Sequence, residues 1–93
     1  MAKYQVEYAD TFDRAMKKLD RGEQRFIMRW IDQHLHNVDF PTSPGKVLTG
    51  NFSGYVRFRV GNYRIIAEVD NSKFVIMNMT VGHRSEVYKI KKF

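Results

Sequence analysis

The sequence predicts an α+β domain, in which a pair of antiparallel helices packs on one face of an antiparallel β-sheet in the order β-α-α-β-β-β. Two observations lead to this prediction: the first half of the chain contains two segments of helical periodicity, and the second half contains strongly alternating segments. A length of 93 residues is enough for one domain with a modest core but not for two. We therefore expect residues 1–93 to form a single domain.

The first half is predicted to form a strand and two helices. Alternating apolar residues indicate a strand at residues 3–8. Apolar residues at helical spacing then indicate a first helix, with Asp10 or Thr11 as its N-cap. Residues 20–22 should close this helix, and a second is expected at about residues 23–36. Because so short a turn joins them, the two helices should be antiparallel.

The stretch at residues 54–66 has the pattern of a β-hairpin, with Gly61 and Asn62 as a two-residue turn. In that register six residues share one face, which can be buried: Val56, Phe58, Val60, Tyr63, Ile65 and Ala67. Residues 46–48 can form a brief extended segment before the hairpin. The last strand, residues 74–81, is apolar on both faces, so we expect it in the interior of the sheet.

The opposite face of the hairpin carries Arg57, Arg59 and Arg64, and Arg59 is predicted to lie directly across from Arg64. Like charges placed opposite each other on a sheet are destabilising. Stability alone therefore does not explain this arrangement, whereas an anion bound among the three arginines would. Arginine binds phosphate oxygens in a bidentate manner and stays charged at all working pH values.

The net charge of +6 is located in the second half of the chain. Residues 1–45 contain seven Lys/Arg and seven Asp/Glu, whereas residues 46–93 contain nine Lys/Arg and three Asp/Glu. A one-sided positive field concentrates polyanions and speeds their association. Candidate RNA-binding residues in this half are Lys46, Lys89, Lys91 and Lys92. The alternative for the three C-terminal lysines is that they only keep the protein soluble.

Other kinds of chemistry find little support. The chain has no cysteine, so neither a disulfide nor a thiol nucleophile is available. Of its three histidines, His34 and His36 are two residues apart on a helix and cannot share a face as i, i+4 metal ligands do. There is no phosphate-binding glycine loop and no serine in a nucleophile-elbow context. We therefore expect neither a metal nor a cofactor.

Membrane insertion and export are also not expected. No apolar run approaches the roughly 20 residues of a membrane span. The N-terminus lacks the apolar core of a signal peptide. A cytoplasmic protein without a membrane partner is the default expectation.

A cationic site remains, and its residue types suit a phosphodiester: Arg57, Arg59, Arg64, Arg84, His83 and Tyr88. In RNA the nucleophile can be the substrate's own 2′-hydroxyl, so the arginines need only stabilise charge that builds on the phosphate. Tyr88 could exchange a proton with that hydroxyl or stack on a base. His83 could protonate the leaving 5′-oxygen. The alternatives are structural roles for Tyr88 and His83.

Two segments carry a specific resemblance in combination. They are Arg57-Phe58-Arg59-Val60-Gly61-Asn62-Tyr63-Arg64-Ile65-Ile66 and Val81-Gly82-His83-Arg84-Ser85-Glu86-Val87-Tyr88. With Leu48-Thr49-Gly50 and Phe52-Ser53-Gly54, they resemble toxins of the RelE/ParE superfamily, the toxic halves of type II toxin–antitoxin pairs, over nearly the whole chain. The ending is similar to that of the RelE branch, whose members cleave mRNA in the ribosomal A site.

This resemblance implies a metal-independent endoribonuclease. Arg57 and Arg59 match two basic positions of the first hairpin strand, although RelE itself has lysines there, so charge stabilisation is their expected role. Arg64 and Arg84 match arginines of the same site. Tyr88 matches a near-terminal tyrosine that assists 2′-hydroxyl attack. The expected products are a 2′,3′-cyclic phosphate and a 5′-hydroxyl.

The resemblance also implies partners and leaves alternatives. The partners are a cognate antitoxin (RelB-like or another small antitoxin), the ribosome and mRNA, and the toxin–antitoxin complex is expected to bind operator DNA through the antitoxin. One alternative is a ParE-like protein that inhibits DNA gyrase by binding, without hydrolysis. Another is a non-catalytic toxin that acts only in a DNA-binding complex with its antitoxin.

Overall fold

A computed structural model describes residues 3–83. The elements in chain order are β1 (Gln5–Val6), α1 (Asp10–Lys17), α2 (Arg21–His34), β2 (Lys46–Val47), a 3₁₀ turn (Gly50–Phe52), β3 (Tyr55–Val60), β4 (Tyr63–Asp70) and β5 (Val75–His83). The five strands form one sheet in the order β1-β5-β4-β3-β2. The predicted α+β class is confirmed, and the apolar last strand lies in the sheet interior as expected.

One edge of the sheet differs from the prediction. Strand β1, which is shorter than the predicted residues 3–8, pairs with β5 in parallel, with Gln5 beside Val75 and Val6 beside Ile76. The prediction of a wholly antiparallel sheet is therefore wrong at this edge. A parallel pair needs a long crossover connection, and the two helices with the strands that follow them supply it.

The N-termini of both helices also differ from the prediction. Helix α1 has Ala9 as its N-cap, with no side-chain cap, so the assignment of Asp10 or Thr11 is wrong. Asp20 is the N-cap of α2, and its carboxylate accepts a hydrogen bond of 2.8 Å from the backbone nitrogen of Glu23. Helix α2 therefore begins two residues earlier than predicted. An aspartate with this geometry typically contributes about 1 kcal/mol to helix stability.

The core lies between the helices and one face of the sheet, which we call the helix-covered face. Both helices point apolar side chains at the strands, and burying such a side chain contributes about 1.5–3 kcal/mol. The core residues of the helices and of the α2 C-cap are Phe12, Met16, Ile27, Ile31 and Leu35. The sheet contributes Val56, Phe58, Val60, Ile65, Ala67, Ile76, Met79 and Val81. Of the six residues predicted for the buried face of the hairpin, five are buried and Tyr63 is half-buried.

A β-bulge in β5 determines which of its residues face the core. The register shifts between Ile66 and Glu68, so that Asn78 and Met79 together lie opposite Ala67. Asn78 has a φ of 52°, a left-handed conformation that asparagine tolerates better than most residues. Its side-chain nitrogen donates a hydrogen bond of 3.0 Å to Glu68 Oε1. The extra residue changes the alternation along β5, so positions on either side of the bulge both contribute to the core.

Candidate functional site

The β3–β4 hairpin has the predicted register. Gly61 and Asn62 form the turn, and Val60 lies opposite Tyr63. Gly61 has a φ of 61°, which a residue without a Cβ adopts at little cost. A Cβ at this position would also lie 3.1 Å from the ring of Phe26 on α2, so the turn is closely packed on the helix.

Three arginines lie on the side of the sheet that the helices leave uncovered, which we call the arginine face (Arg57, Arg59 and Arg64). Arg59 is the direct cross-strand partner of Arg64, and Arg57 lies opposite Ile66. Because side chains alternate between the two faces of a strand, all three arginines project from the face that does not carry the core residues. Arg59 is exposed, whereas Arg57 and Arg64 are half-buried. The predicted placement of these three residues on one face is confirmed.

Lys46 adds a fourth cation at the edge of the arginine face. It is the cross-strand partner of Arg57 on strand β2. A small groove of 210 Å³ runs along this edge, lined by Pro44, Gly45, Lys46, Arg57 and Arg59. The groove therefore has three cationic side chains in its walls, which suits an anionic ligand.

Contacts near the turn orient Arg64. Its Nη1 atom donates a hydrogen bond of 3.1 Å to the carbonyl oxygen of Tyr63. Its cross-strand partner on β5 is Gly82. Two further residues of this face, Ile66 and Thr80, are buried. The arginine face thus combines cations with a shielded centre, where electrostatic interactions are stronger than in bulk water.

An acidic residue at the far end of the arginine face was not singled out by the sequence. Glu68 lies opposite Tyr55 on the same face as the arginines. The pKa of Tyr55 is raised, first by burial and then by the negative charge of Glu68. Counting residues outward from the hairpin turn would have placed this carboxylate on the arginine face, because the alternation is unbroken in β3 and β4.

His83 lies on the other side of the sheet. It is the cross-strand partner of Tyr63, and the two rings meet edge to face with centroids 6.0 Å apart. The Tyr63 hydroxyl donates a hydrogen bond to the carboxylate of Glu23 on α2, so this pair lies on the helix-covered face. Among the described residues, the structure therefore places His83 on the opposite side of the sheet from Arg57, Arg59 and Arg64. Its role as general acid stays an untested prediction.

The environment of Tyr63 changes its acidity. The hydrogen bond to Glu23 raises the pKa of Tyr63 to about 12, with further contributions from burial and from the negative charges of Glu23 and Asp20. Beside this tyrosine a cleft of 550 Å³ separates α1 from the ends of β4 and β5. It is lined by Thr11, Arg14, Ala15, Lys18, Leu19, Tyr63, Thr80, Val81, Gly82 and His83.

The remaining predicted site residues lie outside residues 3–83. They are Arg84, Tyr88, Lys89, Lys91 and Lys92, and their assignments stay predictions. The other two histidines lie near the C-terminal end of α2. His34 stacks on Trp30 with ring centroids 4.6 Å apart, and its Nδ1 atom is 3.0 Å from the Trp30 carbonyl oxygen. This packing supports a structural role for His34, and His36 is exposed.

Residues 3–83 contain no group of three or more His, Asp or Glu side chains arranged to hold a metal ion. Neither helix within this range is long and apolar enough to cross a membrane.

Comparisons with known proteins identify relatives. The family model described as the ParE toxin of the type II toxin–antitoxin system, parDE, matches residues 6–88. The chain is similar to a chain of the toxin–antitoxin complex RelBE2 from Mycobacterium tuberculosis, with 25% identity, a TM-score of 0.80, and alignment over 91% of this chain and 95% of that chain. A search of curated protein sequences gave no match.

A second solved structure supports the fold assignment alone. It is a chain of the RelB–RelE antitoxin–toxin complex from Methanococcus jannaschii, with 23% identity and a TM-score of 0.55. The alignment again covers 91% of this chain and 95% of that chain. The predicted RelE-like architecture is therefore confirmed.

Proposed function

Because this chain belongs to the ParE toxin family of type II toxin–antitoxin systems, within the RelE/ParE superfamily, we propose that it is a toxin of the RelE type that cleaves mRNA in the ribosomal A site. The observation that carries this proposal is the direct opposition of Arg59 and Arg64, with Arg57 and Lys46 beside them. Four cations on one sheet face attract a phosphodiester, and the arginines among them can bind its oxygens in a bidentate manner.

The proposed reaction requires no nucleophile from the protein. The 2′-oxygen of the substrate attacks the adjacent phosphorus, a 2′,3′-cyclic phosphate forms, and the bond to the 5′-oxygen breaks. The 2′-hydroxyl loses its proton as it attacks, and the leaving 5′-oxygen takes up a proton. The arginines stabilise the added negative charge, and removal of one such group typically slows a reaction by about 10²–10³-fold. Tyr88 is proposed to assist the 2′-hydroxyl.

The partners are part of the same proposal. The two solved structures are complexes of a toxin with an antitoxin, and both are named after RelB and RelE. We expect a small RelB-like antitoxin to neutralise this chain in the cytoplasm. The complex is expected to bind operator DNA through the antitoxin, while the ribosome and mRNA are partners of the toxin alone.

Inducing the chain alone in bacteria tests the proposal. We expect growth to stop and truncated mRNAs with 5′-hydroxyl ends to accumulate, which sequencing of mRNA 5′ ends would detect. The double change Arg64→Ala and Arg84→Ala should abolish toxicity while the far-ultraviolet circular dichroism stays that of the wild type. A control is Lys73→Ala, which removes one cation from the β4–β5 turn and should leave toxicity unchanged. Growth arrest with intact mRNA would contradict mRNA cleavage.

A second candidate function is inhibition of DNA gyrase by binding, without hydrolysis. The match of residues 6–88 to the ParE toxin model favours it. Under this alternative, induction would produce trapped gyrase–DNA complexes and a DNA-damage response, and mRNA would stay intact. A protein that only binds gyrase has no need of a phosphate site formed by opposed arginines, so the geometry of the arginine face favours cleavage.

A further inference from the structure

Helix α2 carries a second group of cations, although the net charge of residues 1–45 is zero. Arg21, Arg25 and Arg29 are spaced four residues apart and are all exposed; we call them the arginine ridge. Ile27 and Ile31 of the same helix are fully buried against the sheet. At 100° per residue, Arg25 and Arg29 lie roughly 160° around the helix from Ile27, so they point away from the sheet.

Three acidic residues of this half of the chain have partners outside the ridge. Asp20 caps α2, and Glu23 accepts the hydrogen bond from Tyr63. Asp32 is exposed and follows Arg29 by three residues on α2, and its negative charge is the second cause, after burial, of the raised pKa of Tyr8. Asp39 lies 3.9 Å from the ammonium of Lys3. Across residues 3–83, the ridge arginines themselves form no ion pair.

The spacing of the ridge is unfavourable for an isolated helix, because like charges at i, i+4 repel by a few tenths of a kcal/mol per pair. Beside the ridge lies a shallow groove of 330 Å³, lined by Arg21, Gln24, Arg25 and Met28. A second groove of 450 Å³ shares Gln24 and Met28 and extends to Lys17 and Asp13 of α1. The α1 side of this groove therefore carries one cation, Lys17, and one anion, Asp13.

The ridge and the arginine face lie on opposite sides of the molecule. The helices cover one face of the sheet, and Arg57, Arg59 and Arg64 project from the other. A short stretch of mRNA seated on the arginine face therefore does not reach the ridge. A second partner with negative charge is required if the ridge has a ligand.

We infer that the arginine ridge binds the phosphate backbone of ribosomal RNA and holds the toxin on the ribosome while the arginine face engages the mRNA. This inference rests on the proposed function. Four residues of helix advance about 6 Å, a separation similar to that between neighbouring phosphates of one RNA strand. Arginine rather than lysine suits this role, because its fork binds phosphate oxygens in a bidentate manner.

The test measures binding of the whole chain to purified ribosomes without mRNA, over a series of salt concentrations. The ridge variant carries Arg21→Gln, Arg25→Gln and Arg29→Gln, and glutamine keeps the helix propensity close to that of arginine. The matched control carries Arg14→Gln, Lys18→Gln and Lys73→Gln, three exposed cations outside the ridge. Both variants lose the same net charge. Each lost phosphate contact should lower the slope of log affinity against log salt by about one.

We expect the slope of log affinity against log salt to be smaller by about two to three in the ridge variant, and its affinity at physiological salt to be at least tenfold lower. In the control variant the slope should fall by less than one. Equal slopes for the two variants would overturn the ridge assignment. Unchanged ribosome binding with lost antitoxin binding would also overturn it and would identify an acidic protein segment as the ligand.

The outcome is separable from the proposed function. If the ridge variant binds ribosomes like the wild type while induced wild-type chain still produces 5′-hydroxyl ends, the ridge inference fails and mRNA cleavage stands. If the induced wild-type chain leaves mRNA intact, the proposed function fails whatever the ridge variant does.

Discussion

Arg59 and Arg64 lie directly opposite each other in the β3–β4 pair, on the face that the helices leave uncovered. A cross-strand pair of like charges lowers stability, by an amount comparable to the roughly 0.2–1 kcal/mol that favourable pairs contribute. The same pair is the centre of the proposed phosphate site. Stability and activity therefore make opposite demands on these two positions.

The first prediction separates those demands. Arg59→Thr should raise the free energy of unfolding by about 0.5 kcal/mol, because it removes the repulsion and introduces a residue that favours strands. It should also reduce mRNA cleavage. Urea denaturation and counts of 5′-hydroxyl ends measure the two effects. Arg59→Lys, which keeps the positive charge, is the control and should bring no gain in stability. A loss of stability in Arg59→Thr would contradict the assigned repulsion.

The second prediction concerns the hydrogen bond from Tyr63 to Glu23. Glu23→Gln should lower the pKa of Tyr63 from about 12 toward the ordinary value of about 10. Ultraviolet absorbance of tyrosinate, with the curve of Tyr63→Phe subtracted, measures this pKa. An unchanged titration in Glu23→Gln would show that the carboxylate is not the main cause of the shift.

The same hydrogen bond predicts a pH dependence of stability. The folded-state pKa of Tyr63 is raised, so the contribution of the bond is complete below about pH 10 and is lost as the pH rises through about 12. Unfolding by urea at pH 8 and at increasing alkaline pH should show Tyr63→Phe converging on the wild type. A difference between the two that is constant with pH would contradict this linkage.

The fourth prediction follows from the position of His83 on the helix-covered face. His83→Gln should retain mRNA cleavage within a few-fold of the wild type, whereas Arg64→Ala should lose about 10²–10³-fold. Single-turnover cleavage on purified ribosomes measures both rates. Equal losses in the two variants would instead support the general-acid role that the sequence suggested for His83.

The fifth prediction concerns the bulge in β5. Asn78→Val should lower the free energy of unfolding by about 1–2 kcal/mol, because a β-branched residue does not tolerate a φ of 52°. Asn78→Gly adopts the positive φ without strain, and it loses the hydrogen bond to Glu68 and some backbone entropy, so it should cost less. Chemical denaturation of the two variants makes the comparison. If the glycine variant were the less stable of the two, the side-chain hydrogen bond would be the dominant contribution.

The sequence by itself determined the local features of this protein. The register of the hairpin, the burial of one of its faces and the placement of Arg57, Arg59 and Arg64 all follow from a two-residue turn and an alternation of period two. The register and the sharing of a face depend on neighbouring residues only, and the apolar side chains of that face make its burial favourable. The same is true of the existence of the two helices, whose apolar spacing is visible along the chain.

Only the tertiary structure decided which distant residues meet. The parallel pairing of β1 with β5 depends on where the chain returns, and the bulge at Asn78 depends on matching two strands across the sheet. That bulge, together with the strand register, places His83 beside Tyr63 and away from the arginines. The arrangement of charge also depends on the tertiary structure. The net charge of residues 1–45 is zero. Folding nevertheless engages Asp20 and Glu23 in hydrogen bonds and leaves three arginines exposed along α2. Composition sums charges along a chain, whereas a partner responds to their arrangement on a surface.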